Sequence, residues 1–305
     1  MPQSPWDALT DRQLGFAGFS RDLHRAIRDT RAAVIGAGGN GAVLDLLARA
    51  GFMRFVIIDG DRVEDTNLNR LPFDRKAVGL PKTEAWKQHL LAINPECEID
   101  IHTRYVKSNG IVWLREALHG VRIAFLGTSD VEANIVAGRL CAQAGIRMII
   151  GPASSGSLIV STFRHNDGLD VEKIGRFGTG GTPLEDIDYA ALRAAYAKAL
   201  AFPGRKKNLE PEIWDAVLQG HMPSRSCGFF VRLTNAAMAF EAVKNVAEMH
   251  SLPFRRTKVT AMPLVQIFDP WTGGAYVFDA ASARVGIPDP MSGEICWRDA
   301  PQSAT

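Results

Sequence analysis

The feature that most narrows what this chain can fold into is a short order of events near its start. An apolar run, Ala32-Ala33-Val34-Ile35, enters the glycine turn Gly36-Ala37-Gly38-Gly39-Asn40-Gly41, and a helical period follows from Ala42 to Ala50 until Gly51 stops it. Strand, tight turn and helix in that order make the first half of a crossover unit. The alternation continues to Ile150: Phe55 to Ile58 reads as a strand, Pro81 to Ile93 as a helix ended by Asn94-Pro95, Glu98 to His102 and Arg122 to Leu126 as strands, Val131 to Ala144 as a helix and Met148 to Ile150 as a further strand. The expected class is therefore α/β, a Rossmann-like, mostly parallel sheet flanked by helices. Ligands of such sheets bind outside the carboxyl ends of the strands, which brings Gly36, Asp59 and the segment Gly127 to Asp130 to one crevice.

After Gly151 the pattern changes. Leu158 to Phe163 reads as a strand, residues 178–183 as a loop, Ala190 to Leu200 and Phe229 to Met249 as helices, and Val259 to Phe268 with Ala275 to Phe278 as a closing strand pair around Pro270-Trp271-Thr272-Gly273-Gly274. This part is expected to extend and complete the sheet. The division expected is one continuous domain over 1–305, with a nucleotide-binding core at about 31–155 and a substrate-side excursion and C-terminal part at about 156–305.

Composition excludes several classes. The 305 residues are 46% hydrophobic, enough for a large core. Lys and Arg total 35 against 33 Asp and Glu, so the formal charge of +2 provides no global field for nucleic acid; the local runs Arg205-Lys206-Lys207 and Arg255-Arg256-Thr257-Lys258 are candidate contact points, though such runs are more often solvated loops. No stretch approaches the ~18 uncharged apolar residues of a membrane span, and the start of the chain has no secretory pattern, so a cytoplasmic protein with no membrane contact is expected. Four cysteines stand far apart without a Cys-x-x-Cys pair, and free thiols are expected. Cys227 is the best placed to be a nucleophile, but it opens the apolar run Gly228-Phe229-Phe230-Val231, and packing is the preferred reading, as for Cys97 and Cys141.

Gly36, Gly38 and Gly41 have the G-x-G-x-x-G spacing that turns backbone N–H groups and a helix N-terminus toward phosphate, and Gly39 lies inside the same turn. Asp59 ends the second strand close to the ~20-residue interval at which a carboxylate meets ribose hydroxyls, and Asp61 is its alternate. NAD and ATP are equally compatible up to this point. Next come Asn67-Leu68-Asn69-Arg70 and, after Gly79-Leu80-Pro81, Lys82. An arginine and a lysine converging on the turn have a use on the extra phosphates of ATP and none on NAD.

These blocks, together with Asp59-Gly60-Asp61-Arg62-Val63 and Ile93-Asn94-Pro95-Glu96-Cys97, resemble the ThiF/MoeB/HesA superfamily, adenylating enzymes related to the ubiquitin-activating enzymes. The resemblance spans roughly residues 12–155. It implies a homodimer and the reaction of a carboxylate with MgATP to give an acyl adenylate and pyrophosphate. It implies that Asn69, Arg70 and Lys82 hold phosphates, with Asn67 in the same loop, that Asp130 holds magnesium, and that Arg12 crosses the dimer to the partner's ATP. It also implies an acceptor such as the C-terminal glycine of a small carrier protein, or another carboxylate. The chain departs from the pattern at Val131 and Ile135, where many members have asparagine and arginine, and at Leu71, where glutamine is frequent.

Three other readings stay open: an enzyme similar to tRNA threonylcarbamoyladenosine dehydratase, which shares the Asn-Pro-Glu-Cys block; an NAD-dependent oxidoreductase; and a non-catalytic interaction protein on an old nucleotide fold.

Overall fold

The computed structural model describes residues 4–16, 18–152, 158–165, 168–193, 210–219, 221–222, 225–254, 258–271, 273–288 and 295–299. Five strands, β1 (Arg31–Ile35), β2 (Arg54–Ile58), β3 (Glu98–His102), β4 (Ile123–Leu126) and β5 (Arg147–Ile150), are followed by β6 (Leu158–Phe163), β7 (Leu264–Asp269), β8 (Gly274–Asp279), β9 (Arg284–Pro288) and β10 (Ile295–Asp299). They form one ten-stranded sheet in the order β10-β9-β8-β7-β6-β5-β4-β1-β2-β3. The first five pair in parallel, and each strand from β6 to β10 pairs antiparallel with its predecessor. The expected parallel core is present, and the extension makes the sheet mixed.

Helices α1 (Pro5–Thr10), α2 (Arg21–Asp29), α3 (Val43–Arg49), α4 (Lys82–Ile93), α5 (Ile111–Ala117), α6 (Val131–Gln143), α7 (Val171–Gly175), α8 (Pro211–Leu218) and α9 (Gly228–Met249) accompany the sheet. Alternation along the strands supplies its two faces. Ala32, Val34, Phe55, Ile57, Ile123 and Phe125 pack with α2, α3, α4 and α9, whereas Ala33, Ile35, Val56, Ile58, Ala124 and Leu126 pack with α5, α6 and α7. Both clusters are buried, which is why these strands read as continuous apolar runs.

Local corrections have local causes. Pro81 is the cap of α4 rather than its first residue, and a 3-10 turn over Gly39–Ala42 precedes α3. The strand expected from Val259 begins at Leu264; residues 260–262 instead run beside Thr162, donating the Met262 N–H to its carbonyl and accepting its N–H at Thr260. Pro263 follows; it accepts the Ala280 N–H but has no N–H of its own to donate to the ladder. Of the helix expected from Ala190, residues up to 193 are helical; the remainder, both Arg205-Lys206-Lys207 and Arg255-Arg256-Thr257, lie outside the described residues. No helix among the described residues is long and apolar enough to cross a membrane.

α9 reaches the site from far along the chain. It lies against β6, β5, α2, α3 and the glycine turn. On its inner face Glu241 and Lys244, 1% and 7% exposed, form a buried pair that also takes the Thr260 N–H and the Lys258 carbonyl. A buried pair of this kind ties the C-terminal strands to the core only because its remaining donors and acceptors are satisfied.

Candidate active site

The order β3-β2-β1-β4-β5 reverses direction between β1 and β4, and the site lies outside that point. Gly36 leaves β1 with φ of +87°, a conformation costly to any residue with a Cβ. A Cβ there would stand 2.7 Å from the Thr128 nitrogen and 2.8 Å from the Gly127 carbonyl carbon, and one on Gly127 would stand 2.3 Å from the Gly36 oxygen. The two strand ends therefore touch through backbone alone, and both positions exclude side chains.

Three side chains hold the glycine turn by hydrogen bonds. Trp86 on α4 donates its indole N–H to the Ala37 carbonyl (2.9 Å), and Asn235 on α9 donates to the Gly39 carbonyl (3.0 Å). Asp59 accepts the N–H of Ala37 (2.6 Å) on one carboxylate oxygen and that of Asp61 (2.7 Å) on the other. Burial raises its carboxyl, and the Lys82 charge and these N–H groups oppose the rise. Lys82 opens α4 almost fully buried and donates to the Asp61 carboxylate at 2.7 Å. Its ammonium lies 4.0 Å from where a Cβ on Gly38 would be. Arg70 flanks the other side, its Cδ and Nε 3.4 and 3.5 Å from the corresponding point on Gly39. Lysine and arginine thus bracket the turn.

The loop bearing Arg70 is itself built. Glu64 and Asn67 cap a 3-10 turn reciprocally, leaving Asn67 buried and facing inward. Arg70 donates to the Thr66 carbonyl (2.8 Å) and to the Asn69 side chain (2.9 Å), and Asn69 donates to the Ser226 carbonyl (3.3 Å). Among the described residues Arg70 has no carboxylate within ion-pair distance. Burial lowers the pKa of its guanidinium and the Glu64 charge opposes this; an arginine with an ordinary value above 12 stays charged regardless. Gly228, at the start of α9, leaves no room for a side chain against this loop, its Cβ point lying 2.1 Å from the Asn69 oxygen. Cys227 caps that helix end, partly buried, and all four cysteines are free thiols. Burial pushes Cys97 up to about 11 and Cys141 up to about 12.

Beyond the turn opens a crevice of about 440 Å³, floored by Ile35, Ile58, Val106 and Val131 and rimmed by Asp59, Asp61, Tyr105 and Asp130. Asp130 caps α6 through the Glu132 N–H (3.0 Å) and pairs with the Lys107 ammonium (2.6 Å), which also reaches Glu132 (3.0 Å). Its carboxylate is thus partly committed, and no cluster of three potential metal-binding side chains occurs among the described residues. A magnesium ion fits only as one bound chiefly by phosphate oxygens, with Asp130 exchanging Lys107 for it, as such ions commonly do. Val131 and Ile135 are buried in the core, and so is Leu71, so at these three departures the side chains complete the core packing. Arg104 and Arg193 line the crevice.

Arg12 stands apart. It sits exposed in a 3-10 turn after α1, where Gln13 donates to the Arg49 carbonyl (2.6 Å) at the far end of α3 from the glycine turn. Tyr105, whose hydroxyl donates to Asp61 (2.7 Å), and Lys107 were not anticipated, although both follow β3 at the edge where ligands gather. Asn235 had no local signal, being 196 residues from its partner.

Together these groups can receive a polyphosphate: N–H groups of a glycine turn, a helix start, two bracketing cations, and a ribose-sized rim with carboxylates. Comparison with known proteins agrees in fold. Ubiquitin-like modifier-activating enzyme 5 of Caenorhabditis briggsae is 40% identical over 86 residues, 28% of this chain and 20% of that relative. Its Caenorhabditis elegans counterpart is 38% identical over 80 residues, 26% of this chain and 19% of the relative. The chain thus matches only about a fifth of the length of these relatives. The crystal structure of Escherichia coli MccB with ATP superposes with a TM-score of 0.60 at 15% identity, covering 85% of this chain and 66% of that one. PaaA superposes with a TM-score of 0.65 at 15% identity, covering 90% and 82%. The family model of the ThiF family matches residues 10–175, more than half of the sequence, and the chain belongs to that family.

Proposed function

We propose that the chain is an ATP-dependent adenylyltransferase that activates a carboxylate. The observation that carries the reading is the bracketing of the glycine turn by two cations, the Lys82 ammonium 4.0 Å from the Gly38 Cβ point and the Arg70 Nε 3.5 Å from that of Gly39. Lys82 is paired with Asp61 and Arg70 braces its own loop, but their convergence on one glycine turn from two sides is what a triphosphate requires. The ThiF family membership and the likeness to a structure solved with ATP support the same nucleotide.

In the reaction a carboxylate oxygen attacks the α-phosphorus, and the bond from that phosphorus to the bridging oxygen breaks. Its electron pair leaves with pyrophosphate. No proton has to move, so the side chains serve by charge and position. Negative charge grows on the leaving group, and Arg70 and Lys82 stabilise it more in the transition state than in the ground state. The N–H groups from Gly38 to Gly41 hold phosphate oxygens, and Asn69 orients Arg70 through its amide. Asp59 retains a free lone pair on each oxygen for ribose hydroxyls, with Asp61 beside it. Asn67 acts by shaping the loop. Magnesium, held between phosphates and Asp130, would neutralise the tail further. Arg12 is too remote from its own crevice and fits a role only across a homodimer.

The acceptor class is a small carrier protein or another carboxylate; ATP–pyrophosphate exchange against carriers ending in Gly-Gly, short peptides, small acids and modified tRNA tests the reading. Exchange with a carboxylate acceptor is expected. Absence of ATP binding, or binding of NAD in its place, would reject it.

A further inference from the structure

Beside the crevice lies a second cavity, of about 70 Å³, for which the reaction outlined above has no use. Its walls are Leu126 at the end of β4, Ile150 at the end of β5, Phe163 on β6, Met262, and Val171 and Ile174 from α7. Among the described residues no charged side chain lines it. Three polar residues line it on the side of the nucleotide site: Asn40 belongs to the glycine turn, Thr128 lines both cavities, and the buried Asn134 of α6 donates its amide to the Thr128 carbonyl (3.0 Å). We infer that the carboxylate acceptor ends in an aliphatic residue whose side chain enters this cavity while its carboxylate meets the α-phosphate. The inference rests on the adenylation reading and names its substrate class.

The size argues for a particular range of side chains. A cavity needs about 10–15 Å³ on this measure for one water, so the volume holds roughly five to seven water-sized atoms, room for the four heavy atoms of a Leu or Met side chain. The cavity is also preformed. Arg139 on α6 grips α7 through two bonds to Glu172, each of 2.7 Å, and donates to the carbonyls of Thr179 (2.8 Å) and Thr182 (2.5 Å). That pair, 18% and 7% exposed, fixes the roof formed by Val171 and Ile174. A substrate pays little to order such a pocket, so its apolar contacts appear as affinity. A terminal glycine would leave the cavity empty, and a terminal aspartate would bury an unpaired charge.

The test is calorimetric titration of tripeptides Ala-Ala-X, with X as Gly, Asp, Leu, Met or Phe, into the full chain saturated with a non-hydrolysable ATP analogue. Leu or Met should bind at least ~10-fold more tightly than Gly or Asp, the scale expected of a filled hydrophobic pocket. Val171→Trp, with unchanged affinity for the analogue, should bring Leu down to the level of Gly. Phe177 also lines the cavity, and Phe177→Ala, which enlarges it, should move the optimum to Phe. Equal binding of Gly and Leu, or no binding of any tripeptide, with the analogue bound normally, overturns the inference and leaves the nucleotide reading standing. Failure to bind the analogue overturns both.

Discussion

Gly36→Ala tests the meeting of β1 and β4 on which the crevice is built. The new methyl would have to live at φ of +87°, which costs a residue with a Cβ about 1–2 kcal/mol. It would also stand 2.7 and 2.8 Å from backbone atoms of Thr128 and Gly127, inside any normal contact, and these atoms cannot rotate away. Overpacking of that kind adds about 1–3 kcal/mol. The sum, about 2–5 kcal/mol, is a large part of the stability of an ordinary domain, and at roughly 2 °C per kcal/mol for a chain of this size it lowers Tm by about 4–10 °C. ATP affinity should fall with it, because relief of the clash pushes the turn away from Thr128. Gly38→Ala is the comparison, since the nearest atom to its methyl is the Lys82 nitrogen at 4.0 Å. It should spare Tm far better than Gly36→Ala while weakening ATP, whose phosphate would share that space. Scanning calorimetry and equilibrium dialysis read both effects. Wild-type Tm and ATP affinity in Gly36→Ala would refute the packing argument.

Four further outcomes are expected. Arg70→Ala and Lys82→Ala should each lower pyrophosphate exchange by at least ~10² with circular dichroism unchanged, and full activity in both would remove them from the mechanism. Glu172→Gln leaves Arg139 without its charge partner and should cost about 3 kcal/mol, discounted for partial exposure, with faster proteolysis of residues 168–193; unchanged cleavage would mean the pair does not hold that segment. Asp45 is raised by burial, but hydrogen bonds from His89 and Arg49 outweigh this and hold it at about 2. Because the folded value lies below the unfolded one, its contribution of about 1–2 kcal/mol is present above the ordinary carboxylate range and disappears as pH falls toward 2. Asp45→Asn should therefore lose stability in urea at pH 5 and converge with the wild type near pH 2, whereas a constant gap would contradict the linkage. Finally, mixing Arg12→Ala chains with Asp130→Ala chains should restore some exchange if Arg12 serves a partner's ATP, and no recovery at any ratio would confine each site to one chain.

The central parallel strands β1, β2, β4 and β5 were legible because they are buried on both faces. Each of these appears as an apolar run, whereas the edge strand β3 showed as an alternation, and the strand ends then locate Gly36, Asp59 and Asp130 without knowledge of contacts. β9 and β10 were not legible: their residues are largely exposed, and short strands such as Arg284–Pro288 and the edge strand Ile295–Asp299 resemble loops in composition. Within the site, the sequence carried the types of charge but not their partners. That Lys82 pairs with Asp61, and Asp130 with Lys107, depends on loops from three strands meeting, which no local spacing encodes. The polar seal supplied by Asn235 depends on α9 folding back over the turn. Val131 and Ile135 were visible as departures, but only their burial explains them, since both side chains complete the core under the crevice.

The central claim is that a triphosphate lies between Arg70 and Lys82 on the glycine turn. Equilibrium dialysis of ATP and of adenosine against the wild type and the Arg70→Ala, Lys82→Ala double variant tests it directly. The account predicts an ATP affinity at least ~10² weaker in the variant with adenosine affinity unchanged, because only the phosphates meet the missing charges. Equal ATP affinity in the two proteins would contradict it.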